Sequence, residues 1–268
     1  MNDNEWVEFL QWALPHMRMR WSGFRKVRRQ VCKRIAGRLE ELNLAKPSKY
    51  KAYLADHPAE WKKLDSLCRI TLSRFYRDKS VFHFLQNVVL QELVKKTGTN
   101  RLRCWCCGCA GGEEPYTLSL IWHQILKPRF PETDLEIIAT DSMDIMLDRA
   151  LTGSYAKSCL KDLPEDLLRT GFNRQNRLYS LKKLYRDPVR FLKQDVREEM
   201  PEGPFNIIFC RYLVFTYFDE KLQTELLKKF LSRLAPGGAL VLGRIDRLPC
   251  RSDKLVPWSE RDNIYRKV

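Results

Sequence analysis

The spacing of apolar residues changes character partway along the chain. Up to Gly98 the period is helical. Val27, Val31, Ile35, Leu39 and Leu42 recur at intervals of four and three, the stripe of an amphipathic helix. Arg28, Arg29, Lys33, Arg34 and Arg38 occupy the rest of its surface. Pro47-Ser48 starts the next helix, with Tyr50, Tyr53 and Leu54 facing inward, and His57-Pro58 ends it. Further helices are predicted over 59–72 and 80–96. In the second, Phe82, Phe84, Leu85, Val88, Val89 and Leu93 are apolar, and Gly98 is the expected C-cap.

Beyond Gly98, short apolar runs alternate with helical segments. Strands are predicted at 102–107, 135–140, 205–210 and 239–243, the last entered through the Pro236-Gly237-Gly238 turn. Helices are predicted at 115–126, 142–150 and 220–234. Such alternation implies a mainly parallel sheet with helices on both faces. The stretch 158–188 breaks the rhythm and reads as a helix and a small β-hairpin inserted beside the sheet. The expected organisation is therefore an all-helical domain over 1–98 followed by a Rossmann-like α/β domain over 99–268.

Composition narrows the setting. Lys and Arg number 48 against 33 Asp and Glu, a formal net charge of +15. Such a field favours anionic partners, whether acidic protein, nucleic acid or lipid, and does not choose among them. The start Met1-Asn2-Asp3-Asn4-Glu5 is acidic and unlike a signal peptide. No apolar run approaches the ~18 residues that suggest a membrane span. The nine cysteines form no evident disulfide framework, which suits a reducing, cytoplasmic compartment. Cys104, Cys106, Cys107 and Cys109 give two interleaved C-x-x-C pairs. Successive side chains on a strand point to opposite faces, so one tetrahedral zinc site is not expected there.

Candidate chemistry gathers at the strand ends. Gly108-Cys109-Ala110-Gly111-Gly112 lies between a strand and a helix, where small residues admit a ligand close to the backbone. Glu113-Glu114 follows immediately, a poor neighbour for phosphate and a good one for a cationic ligand. The next strand ends in Ala139-Thr140-Asp141, placing a carboxylate for ribose hydroxyls. A ribose with ammonium and sulfonium charges describes S-adenosylmethionine. A Rossmann domain for another nucleotide is the competing reading.

Four segments resemble the CheR family of protein-glutamate methyltransferases, which are class I enzymes. They are Ser73-Arg74-Phe75-Tyr76-Arg77-Asp78; Gly108 to Tyr116, ending in Gly-Glu-Glu-Pro-Tyr; Ala139-Thr140-Asp141 with Gly153-Ser154-Tyr155; and Phe205 to Arg211 with Tyr217-Phe218-Asp219. Arg34 to Leu39 resembles a basic helix of the family's first domain, and Ile264-Tyr265-Arg266 extends the similarity to the C-terminus. The resemblance implies S-adenosylmethionine as cofactor. Asp141 would hold the ribose and Glu113 the methionine end, with Gly108 and Ala110 lining it. Asp195 and Val196 would lie at the adenine, and Tyr212 and Leu213 also at the cofactor. Thr71, Ser73 and Arg77 would reach the cofactor and the acceptor carboxylate, with Tyr217 near the transferred methyl. The helical domain would recognise the substrate and cover the cofactor, and no metal is implied.

The implied acceptor is an acidic protein, such as a receptor-like helical protein, methylated by a monomer. RNA or a small molecule is the alternative acceptor, and a cofactor-binding or basic interaction protein without turnover the alternative class. The chain departs from the family pattern at Tyr212, where Asn is usual, and by one extra residue before Tyr217. It departs again at Thr71 and Ser73, which stand for Asn and Thr, and at Gly243-Arg244-Ile245-Asp246, which stands for Gly-His-Ser-Glu.

Overall fold

The computed structural model describes residues 3–97 and 100–268. Gly98, the expected C-cap, and the expected domain boundary beside it fall outside the described residues. The chain packs as two compact units. One comprises the residues up to Ile70 together with Thr216–Gln223, and the other the rest. Residues 79–97, read from the sequence as part of the helical region, pack in the second unit.

In the first unit, helices span Asp3–His16, Trp21–Phe24, Arg28–Glu41, Pro47–Asp56 and Glu60–Cys68. Phe9, Leu10, Leu14, Val31, Ile35, Leu39, Tyr50, Leu54 and Leu64 are buried. The stripe predicted for the basic helix is therefore its inward face, and Pro47 occupies the first turn of its helix, where a missing N–H is harmless. The arginines of the basic helix are not a uniform solvated surface. Arg28 pairs with Asp3 at 2.9 Å. Arg38 donates from Nε and Nη2 to Glu60 at 2.9 Å each, and the Tyr50 hydroxyl donates to the same carboxylate at 2.8 Å. Arg34 Nη1 donates to the Leu67 and Arg69 carbonyls at 3.0 and 2.5 Å. A helix end exposes carbonyls without partners. By taking two of them, Arg34 helps end at Cys68 a helix whose apolar pattern predicted continuation to 72.

The second unit is built on a seven-stranded sheet. Its strands in chain order are β1 (Arg101–Cys107), β2 (Asp134–Asp141), β6 (Val189–Lys193), β7 (Phe205–Cys210), β8 (Leu234–Leu242), β9 (Leu255–Ser259) and β10 (Ile264–Lys267). The spatial order is β6-β2-β1-β7-β8-β10-β9. The first five run parallel, and β10 runs antiparallel to both its neighbours. From β1 the chain winds outward through β2 and β6, then crosses to β7. The direction of winding reverses between β1 and β7, which opens a crevice at their carboxyl ends.

The inserted segment forms a second sheet. Strands β3 (Ser154–Ala156), β4 (Phe172–Gln175) and β5 (Leu178–Leu181) pair antiparallel in the order β3-β5-β4. The predicted hairpin is β4-β5, completed by a third strand from just before the predicted insert. Along β1, Cys104 and Cys106 enter one core with Ile137, Ala139, Ile207 and Phe209. Trp105 turns to the other face, where its ring meets Phe230 and its Nε1 donates to Thr140 Oγ1 at 2.9 Å. Cys109 joins Cys104 and Cys106 in that core, and Cys107 lies outside it. Burial pushes the thiols of Cys104, Cys106, Cys107 and Cys109 far up, so they act as small apolar groups. No helix among the described residues is long and apolar enough to cross a membrane.

Candidate cofactor and acceptor site

The loop after β1 is shaped by left-handed backbone. Gly108, Ala110 and Gly112 have φ of 75°, 46° and 83°. The Gly108 and Cys109 amides both donate to the Thr140 carbonyl, at 2.8 and 3.0 Å, which ties the loop to the end of β2. One residue further, Asp141 closes the arrangement. Its Oδ2 accepts the Ala110 amide at 2.9 Å and its Oδ1 the Met143 amide at 3.0 Å. The carboxylate is thereby held in one orientation beside the glycine loop. Gly108 is also required by packing, because a Cβ there would stand 2.6 Å from the Leu213 side chain.

Glu113 begins the helix Glu113–Ile121 and is fully buried. Its Oε1 accepts Arg149 Nη2 at 2.5 Å, whereas Oε2 is buried with no hydrogen-bond partner, beside Gly111. Burial raises its pKa, opposed by the Arg149 guanidinium and, more weakly, by the Ser73 hydroxyl. An unpartnered carboxylate oxygen in a dry site is costly alone and stabilised by a cationic donor. This is the feature that fits S-adenosylmethionine here. The position also suits a helix N-terminus only as an anion, so the residue is pulled between burial and ionisation.

Asp195 and Val196 follow β6. The Gln194 amide donates to the Asp141 carbonyl at 3.0 Å, bringing this turn beside the end of β2. Asp195 holds Arg197 bidentately, with Oδ2 to Nη2 at 2.7 Å and Oδ1 to Nε at 3.0 Å. Its carboxylate thus already has a guanidinium partner, and Val196 is buried.

The segment from Thr71 to Asp78 lies wholly in the second unit. Phe75 and Tyr76 are buried and anchor it. The Phe75 amide donates to the Cys159 carbonyl at 3.0 Å, and the Tyr76 amide to Thr117 Oγ1 at 3.1 Å. Tyr76 and Asp78 both adopt positive φ, at 56° and 63°, and the tight turn they make presents Arg77 between them. Among the described residues the Arg77 guanidinium makes one hydrogen bond, from Nη1 to the Leu72 carbonyl at 2.9 Å. It lies 3.8 Å over the Tyr212 ring.

Beneath Arg77 is a charge network that sequence reasoning missed. Arg211 is buried and donates to Glu114 Oε2 at 2.9 Å, to Asp78 Oδ2 at 2.6 Å and to the Arg77 carbonyl at 2.8 Å. The Tyr212 hydroxyl donates to the same Asp78 oxygen at 2.5 Å. Burial raises the Glu114 pKa against the pull of Arg211, and burial followed by Asp78 raises that of Tyr212. Asp78, Glu114 and Arg211 each sit inside a motif quoted above. Their meeting joins residues 133 positions apart, which local spacing does not reveal.

The structure therefore brings Gly108, Ala110, Glu113, Asp141, Asp195, Val196, Tyr212 and Leu213 to the carboxyl ends of β1, β2, β6 and β7, with Ser73 and Arg77 in the same unit. Tyr217 belongs to the first unit, where its ring packs on Phe24 at a centroid distance of 5.0 Å.

A doubly wound sheet, a glycine loop at its reversal point, a pinned strand-end carboxylate and a buried glutamate with one oxygen on Arg149 define an S-adenosylmethionine-dependent methyltransferase. Comparison with known proteins gives the family. The profile described as CheR methyltransferase, SAM binding domain, matches residues 71–262, and the chain belongs to that family. A chemotaxis protein methyltransferase of Listeria monocytogenes is 30% identical over 183 residues, 68% of either chain. Chemotaxis protein methyltransferase 2 of Vibrio cholerae is 32% identical over 178 residues, 65% of this chain and 61% of its own. Among solved structures, the N-methyltransferase NodS of Bradyrhizobium japonicum in complex with S-adenosyl-L-homocysteine covers 72% of this chain and 90% of its own. It does so at 14% identity and a TM-score of 0.39.

Proposed function

We propose that this methyltransferase esterifies a glutamate carboxylate on an acidic, receptor-like helical protein, acting in the cytoplasm as a monomer. The observation that carries the reading is Arg77. A guanidinium is held on an aromatic ring by a rigid turn, with a single backbone hydrogen bond, in the unit that carries the cofactor site. A planar donor fork matches a carboxylate. The names of the relatives, chemotaxis protein methyltransferases, support a protein as the acceptor.

The cofactor supplies an already activated methyl group, and a glutamate side chain is ionised at neutral pH. No strong base is needed. In this reading Asp141 orients the ribose, Glu113 takes the ammonium, and Gly108, Ala110 and Leu213 shape the floor. The turn at Asp195 and Val196 borders the adenine through its backbone, since the Asp195 side chain is engaged by Arg197. Thr71 and Ser73 line the methionine side, and Arg77 aligns the acceptor for in-line transfer. Tyr217 would lie near the methyl, and the helical region to 98 would recognise the acceptor and cover the cofactor.

The test is transfer of a labelled methyl group from S-adenosylmethionine to protein of native lysate. A carboxyl ester releases its label as methanol in mild base. Label that resists base, or that enters RNA or a small molecule, would replace the carboxylate reading. No transfer to any fraction, with cofactor binding intact, would favour a binding protein without turnover.

A further inference from the structure

Two departures from the family pattern, separate in the sequence, meet in space. Tyr212 stands in place of asparagine, and Gly243-Arg244-Ile245-Asp246 in place of Gly-His-Ser-Glu. The Tyr212 amide donates to Asp246 Oδ2 at 2.9 Å, and the Gly243 amide to the same oxygen at 2.7 Å. The Arg244 amide donates to the Tyr212 hydroxyl at 3.3 Å. Any Cβ on Gly243 would lie 2.9 Å from two carbons of the Tyr212 ring, so only glycine leaves room for that ring. Asn263 Nδ2 braces the turn through the Gly243 and Asp246 carbonyls at 2.7 and 3.0 Å.

Tyr212 has φ of 55°. Asparagine tolerates that left-handed region, whereas a bulky aromatic there is strained and persists only where its surroundings hold it. The contacts that hold it all converge on one outcome. The ring is fixed by its hydroxyl to Asp78, which also fixes Arg211, and the Arg77 guanidinium lies on its face at 3.8 Å. A guanidinium on an aromatic face keeps its N–H groups in plane and available. With Nη1 on the Leu72 carbonyl, the edge formed by Nε and Nη2 makes no hydrogen bond to protein among the described residues.

We infer that Tyr212 is a positioning residue for Arg77, and that Asp246, which stands for the pattern's glutamate beside a glycine common to both, is the matching change that accommodates its ring. The side chain at this position serves the acceptor side of the site and not the cofactor. It restricts Arg77 to edge-on, paired recognition of a planar anion, a carboxylate. This rests on the reading of Arg77 given above.

The experiment compares Tyr212→Asn, which suits the left-handed backbone, with Tyr212→Phe, which keeps the ring. The first readout is the Arg77 Nε–H resonance in nitrogen-15 spectra, assigned by its loss in Arg77→Lys. Ring current should shift it in the wild type and in Tyr212→Phe, and the shift should vanish in Tyr212→Asn. The second uses poly-L-glutamate as methyl acceptor. Acceptor kcat/KM should fall about tenfold in Tyr212→Asn, with cofactor Kd within about twofold, and return to within about threefold of wild type in Tyr212→Phe. An unchanged resonance in Tyr212→Asn, or a cofactor Kd that weakens as much as kcat/KM falls, overturns the inference. If the wild type leaves poly-L-glutamate unmethylated, the carboxylate reading is what suffers, and the resonance still decides whether Tyr212 positions Arg77.

Discussion

Asp141 works in two directions at once. Its oxygens accept the Ala110 and Met143 amides, so the carboxylate proposed to face a ribose also shapes the glycine loop. A carboxylate has about four acceptor sites, enough for both tasks. Asp141→Ala should weaken S-adenosylmethionine binding by about 1–3 kcal/mol in calorimetric titration, and unchanged affinity in a folded variant would remove the ribose assignment. Glu113 gives a pH signature. Burial raises its pKa above the usual 4.5, against Arg149. A cationic ligand prefers the anion, so binding releases a proton. Affinity should therefore fall as the pH drops through this raised value, and Glu113→Gln should bind weakly with a flat profile over that range. A wild-type profile as flat as the variant's would place the ammonium elsewhere. The placement of Asp141 and Glu113 beside the glycine loop was legible in the sequence because a strand end and a loop fix their surroundings locally. The Asp78–Arg211–Glu114 network was not, since it exists only once β7, the 71–78 segment and the helix after β1 are brought together.

At the scale of elements, apolar period recovered what is buried and missed what lies at an edge. Strands β6, β9 and β10 were not predicted. Val189–Lys193 and Ile264–Lys267 mix charge with apolar residues, and Leu255–Ser259 carries a proline, as suits edge and near-edge strands. The helix Glu60–Cys68 shows how a side chain on another element sets a boundary. Glu60 on it is buried with Arg38 and Tyr50 from two other helices. Arg38 remains part-exposed, so removing Glu60 should cost less than the ~3–5 kcal/mol of breaking a fully buried pair. We expect Glu60→Ala to lose about 2 kcal/mol in denaturant unfolding followed by tryptophan fluorescence. The Arg38 hydrogen bond lowers the Glu60 pKa below 4.5, outweighing burial, with Tyr50 assisting. A lowered carboxylate pKa stabilises above the unfolded value, and that contribution disappears as pH falls through the folded one. The wild type should therefore lose stability below pH 4.5 more steeply than Glu60→Gln. Parallel curves would show that folding leaves the Glu60 pKa unshifted.

For the whole molecule the net charge of +15 is a statement about partners and association rate, not about fold. Arg34 and Arg38 lie on the basic helix of the region expected to recognise the acceptor, but the structure gives both internal work. Arg34 ties down the end of Glu60–Cys68 and Arg38 holds Glu60. Reversing them to glutamate should lower the melting temperature of the first unit, whatever it does to transfer. Arg25, Lys26, Arg29 and Lys33 are exposed instead, and a charge free to face solvent is what steers an encounter. Arg29→Glu with Lys33→Glu should leave folding and cofactor affinity intact. At low ionic strength it should reduce kcat/KM on the acidic acceptor by about tenfold through slower association. The deficit should shrink as salt rises, because charges beyond about 10 Å are screened at 0.1 M. A double variant that transfers methyl as fast as wild type at every salt concentration would reduce this face to a solvated surface. A deficit that persists unchanged in high salt would mean that the two residues touch the acceptor directly rather than steer it.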